Sequence, residues 1–159
     1  MNATWTPRKN AAAILAILLL AAGCTSGGKM NDSSHMAMAS ARSFRASLSG
    51  SQEVPPTTST ATATANATLD PDGTLHWNVA YQGLSGPAAA AHFHGPAAPG
   101  ANAGVVVNIG EQGLASPMQG AAHLTAGQIA DLESGRWYIN IHTAANPNGE
   151  IRGQVTPAQ

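Results

Sequence analysis

A single cysteine, Cys24, occurs in the 159-residue chain, so no intrachain disulfide can staple the fold. Charge is also scarce: Asp, Glu, Lys and Arg make up only 9% of the residues, and residues 43–157 contain no lysine. That stretch sets Arg45, Arg136 and Arg152 against Glu53, Asp70, Asp72, Glu111, Asp131, Glu133 and Glu150, three cations against seven anions and a net charge of −4. A surface so short of cations cannot offset phosphate charge, which argues against nucleic acid as a partner. Aromatic residues reach only 4%, so a core must come from Val, Ile, Leu and Ala, with Trp77 and Trp137 as the large pieces. Gly-x-Ser-x-Gly and Gly-rich phosphate loops are missing, and residues 43–157 hold no thiol nucleophile. These absences favour a non-enzymatic protein.

The apolar run from Ala11 to Ala22, preceded by Arg8 and Lys9, is short of the ~20 residues a membrane-spanning helix needs. A positive start, an apolar middle and small residues after it are the parts of an export signal over residues 1–23. The following "AAGC" resembles the lipobox of bacterial lipoproteins, although Ala21 stands where Leu is commonest. The resemblance implies acylation of Cys24, anchoring to the cell envelope and, with Thr25 next, an outer-membrane location facing the periplasm. Ordinary signal cleavage with a free thiol is the alternative. Residues 24–42, rich in Ser, Gly and Met, read as a flexible tether.

From residue 43 the dominant period is two, the signature of strands. "TATATANATL" at 60–69 alternates Ala with Thr or Asn, "DPDG" turns, and "LHWNVAY" resumes with Leu75, Trp77, Val79 and Tyr81 on one face. Further strands fall at 44–48, 105–109, 137–142 and 150–155, the last two joined by "NPNG" at 146–149. Thr125 caps one short helix, "AGQIADLES", which Gly135 ends. The pattern predicts an all-β fold, an antiparallel Greek-key β-sandwich or barrel with one short helix, over residues 43–157.

Within it "AHFHGP" places His92 and His94 two residues apart, and side chains at i and i+2 of a strand share a face about 6.6 Å apart. In "WYINIHT", Tyr138, Asn140 and His142 share a face in the same way. Should the two segments be neighbours, three imidazoles converge, a donor set that suits copper or zinc. A second reading stands beside it: histidines at strand ends donate to loop carbonyls and need no ion. His76 and His123 are further donors, each alone in its segment. Glu53, in the apolar "SQEVPP", needs a partner if buried, and Arg152 is the cation expected to form an ion pair with it.

The order "FRASLSGSQEVPP", "GLSGPAAAAHFHGPAAPGANAGVVV", "GRWYINIHTAANPNGEIRGQV" resembles the CHRD domain, the module named after chordin. The likeness runs from about Ser43 to Val155, and "NIHTAANPNGEIRGQ" is its most specific part. It implies an immunoglobulin-like β-barrel or sandwich on a secreted or surface protein, without an assigned catalytic residue. The growth-factor binding of animal chordin does not carry over to a chain with one unit. A fold-level likeness to copper-zinc superoxide dismutases lies in the His-x-His strand, but the disulfide and further metal ligands of those enzymes are missing. Three functions follow: a lipid-anchored binding or structural module meeting an envelope protein, an envelope copper or zinc binder using His92, His94 and His142, and a redox-metal enzyme.

Overall fold

The computed structural model describes residues 40–158. The expected export signal, Cys24 and all of the tether before residue 40 lie outside the described residues. Nine strands occur within them: β1 (Arg42–Ser49), β2 (Thr62–Leu69), β3 (Thr74–Gln82), β4 (Ala88–His94), β5 (Val105–Asn108), β6 (Met118–His123), β7 (Tyr138–Thr143), β8 (Ile151–Gln154) and β9 (Thr156–Pro157). One helix, α1 (Ala126–Glu133), precedes β7. The strands form a single antiparallel sheet in the order β5-β4-β7-β8-β1-β2-β3-β6, with β9 paired to β1, nearly closed into a barrel. Because β6 returns beside β3 after the β4–β5 pair has crossed to the far edge, the connections are of the Greek-key kind.

The alternation seen in the sequence governs which face is buried. Ala61, Ala63, Ala65 and Ala67 face inward, and β1 pairs with β2 along all its residues from Arg42 opposite Leu69 to Ser49 opposite Thr62. At the β2–β3 turn, Gly73 has a φ of 89°, and Asp72 Oδ1 accepts from Thr74 N at 2.9 Å. Trp77, Phe93 and Trp137 occupy the middle of the core, with successive ring centroids 5.7 Å apart. Such aromatic pairs contribute about 0.5–1.5 kcal/mol each beyond the area they bury. α1 begins with a capping box, Thr125 Oγ1 accepting from Gln128 N while Gln128 Oε1 accepts from Thr125 N.

On β7 both faces are buried: Ile139 and Ile141 enter the core, while Tyr138 and Asn140 lie under loops on the outside. The covering segments are residues 95–104, between β4 and β5, and residues 50–57, after β1. The outer face of β4, β7 and β8 is therefore partly covered and polar, and the histidines stand on it, His94 buried and His92 and His142 half-buried.

Candidate metal centre

β4 and β7 are adjacent antiparallel strands, with His92 opposite Asn140, His94 opposite Tyr138 and Ala90 opposite His142. This register puts His92, His94 and His142 on one face, and one ring nitrogen from each lies within 4.8 Å of the others. His92 Nδ1 and His142 Nε2 are 3.2 Å apart. Two nitrogens on a tetrahedral ion are about 3.3 Å apart for metal–nitrogen bonds of ~2.05 Å, so this pair already has the required spacing. The three residues read from the sequence as candidate ligands are thus brought together. His76 and His123 are not: His76 Nε2 meets Asp70 Oδ2 at 3.2 Å, and His123 pairs with Thr74 at the opposite end of the sheet.

Hydrogen bonds decide which nitrogens are available. His94 Nδ1 lies 3.0 Å from Ala103 O, and His142 Nδ1 lies 3.0 Å from Pro147 O. A carbonyl only accepts, so in each neutral ring Nδ1 carries the hydrogen; without an ion, His142 Nε2 accepts from His92 Nδ1 at 3.2 Å, while His94 Nε2 keeps its lone pair. His94 Nε2 is buried without a hydrogen-bond partner among the described residues. Loop carbonyls do hold two histidines, as the second sequence reading expects, yet the same bonds orient the remaining nitrogens toward a common point. His92 and His142 both have pKa values below the ordinary 6.5. Burial is the main cause for each; neighbouring rings add to it, and for His142 the Pro147 bond opposes it. Neutral, metal-competent imidazole therefore persists further into acid than usual.

A column of rings backs His94. The Tyr138 ring stacks on it with centroids 4.8 Å apart and planes at 4°. Arg152 Cζ lies 3.5 Å from the centroid of the Tyr138 ring. β4 and β8 flank β7 on opposite sides, so the tyrosine is sandwiched between imidazole and guanidinium. Arg152 also donates to Asn102 Oδ1 at 2.8 Å and to Ala101 O at 2.6 Å, while Tyr138 Oη accepts from Ala103 N at 3.1 Å. Loop 101–103 is latched by the same side chains that pack behind the histidine. Tyr138 and Asn140 were visible in the sequence only as face-mates of His142; nothing in their spacing signals a stack.

The expected ion pair between Glu53 and Arg152 is not formed: no contact within 4.0 Å joins them, and Arg152 spends its donors on the loop. Glu53 is buried, and its Oε1 has no hydrogen-bond partner among the described residues. Burial pushes its carboxyl up to about 7, opposed by the more distant guanidinium and the Val54 amide. Gly149, at a φ of 128°, makes room for it, since a Cβ there would collide with the Glu53 carboxyl and come within 2.8 Å of Asn140 Nδ2.

A family model described as the CHRD domain matches residues 44–155. No curated protein and no solved structure matches the chain.

Proposed function

The chain belongs to the CHRD domain family, and on that premise we propose that it is an exported, lipid-anchored envelope module that captures copper or zinc through His92, His94 and His142 without catalysing a reaction. One observation carries this reading: three ring nitrogens gathered within 4.8 Å, with His94 and His142 oriented by Nδ1-to-carbonyl bonds and the Nε2 of that same His94 buried with no partner among the described residues. An unpaired buried acceptor costs about 1–3 kcal/mol, which an ion would relieve. Ligands on neighbouring strands of a rigid sheet lose little freedom on binding. Of the three functions considered from the sequence, the gathered histidines favour metal capture over a plain binding or structural module. Export and the anchor rest on the Arg8–Ala22 segment and Cys24 alone.

The test uses the full chain, expressed with its leader and recovered from the membrane fraction. After loading with copper or zinc and removal of excess, about one ion per chain is expected in the native protein and none in His92→Ala/His94→Ala. Equal stoichiometry in both would dispose of the site. Recovery of the protein as a soluble, unacylated chain would dispose of the anchor.

A further inference from the structure

We propose that this centre selects monovalent copper over divalent ions, and that Arg152 is the residue that sets the preference. The inference rests on reading the three histidines as a metal site. Their cluster contains no carboxylate and no thiolate, so every donor is neutral and the full charge of a bound ion stays uncompensated. His94 is only 8% exposed and His92 and His142 are half-buried, so water solvates that charge from one side only in part. The desolvation cost of an ion rises with the square of its charge, so a divalent ion faces about four times the penalty of a monovalent one.

The fixed charge behind the site acts in the same direction. Arg152 is 2% exposed and cannot turn away into solvent, because Asn102 and Ala101 hold it and the Tyr138 face packs against it. Through the stacked tyrosine its positive charge faces His94. A divalent ion feels about twice the repulsion of a monovalent one at the same distance. Cuprous ion is satisfied by three neutral nitrogens in a trigonal arrangement and needs no anionic fourth ligand. Cupric ion binds most tightly of the first-row divalents, so it is the competitor that matters.

The preference is read directly as a potential. Bound Cu(II) takes one electron from an electrode mediator to become bound Cu(I), and no protein group changes oxidation state. Each tenfold preference for Cu(I) raises the potential of the bound couple above that of the free aqua couple by 59 mV. With the full chain carrying one equivalent of copper, spectroelectrochemical titration should place the native protein at least tenfold, or 59 mV, toward Cu(I). A potential at or below that of the free couple overturns the proposal while leaving the metal site standing; failure to retain copper in either state removes the site itself.

Arg152→Gln should lower the potential, whereas Arg152→Lys, which loses the same latch but keeps the charge, should hold it near native. Equal potentials in the two variants would remove Arg152 from the argument. If Arg152→Gln does not fold, Asn140→Asp places a carboxylate opposite His92 in the β4–β7 register and should lower the potential instead. An unchanged value there would overturn the electrostatic account.

Discussion

Glu150 shows how a charge-poor protein keeps a buried carboxylate. It is 0% exposed and accepts from Ser85 N and Ser59 Oγ at 2.8 Å, and from Ser85 Oγ and Thr143 Oγ1 at 2.6 Å. Burial opposes its charge, but the bonds from Ser85, Thr143 and Ser59 outweigh it and bring the carboxyl down to about 2. Glu150→Gln keeps the shape but turns an all-acceptor group into one that presents an NH2 to donors. The expected cost is about 2–4 kcal/mol, measured by urea unfolding near neutral pH. A loss below 0.5 kcal/mol, roughly the scatter of surface substitutions, would show that the network adds nothing. Arg152 illustrates the opposite case. It is buried, and its partners are a loop and an aromatic ring rather than Glu53, the acid expected from the sequence.

At the level of elements, the strands with strong alternation were legible and β6 was not. "MQGAAH" has a glycine and two alanines where β-branched residues would signal a strand, and its place beside β3 comes from packing. Gly120 faces the Trp77 ring, and a Cβ there would come within 2.5 Å of Cζ2. Gly120→Ala should therefore destabilise by about 1–3 kcal/mol, although alanine is the better residue in a generic strand. Calorimetry checks this, and a neutral or stabilising effect would mean that Trp77 yields freely. β4 and β7 were readable as separate strands from their patterns. Their adjacency and register are what bring the imidazoles together, and these belong to long-range pairing.

For the molecule as a whole, three sets of groups give stability a pH dependence with opposing signs. Glu150, lowered from 4.5, contributes stability that is present above 4.5 and lost as pH falls through about 2. His92 and His142, lowered from 6.5 mainly by burial, contribute stability present above 6.5 and lost as pH falls through their lowered values. Glu53, raised from 4.5 to about 7 by burial, contributes stability that is complete below 4.5 and lost as pH rises through about 7. The histidines and Glu53 oppose each other between 4.5 and 6.5. Below 4.5 Glu53 no longer changes, so metal-free protein should lose stability to urea between pH ~4.5 and ~3. The stability of Glu53→Gln relative to native protein should rise between pH ~5.5 and ~8 by on the order of 1–2 kcal/mol, after allowance for solvent reaching the carboxyl. A profile that falls equally in both proteins on the alkaline side would exclude Glu53 as its source.

The one-dimensional pattern was enough for the all-β class, the β2–β3 hairpin, the capped helix and the three histidines as candidates, because period-two alternation, turn residues and i, i+2 spacing act between near neighbours in the chain. The meeting of His92 with His142, the Arg152–Tyr138–His94 column and the isolation of Glu53 from Arg152 came only with the tertiary structure. The contacts among these join residues on different strands, His92 and His142 lying 50 positions apart in the chain. Strand order, register and the loops folded over the outer face select them, and no local period encodes that choice.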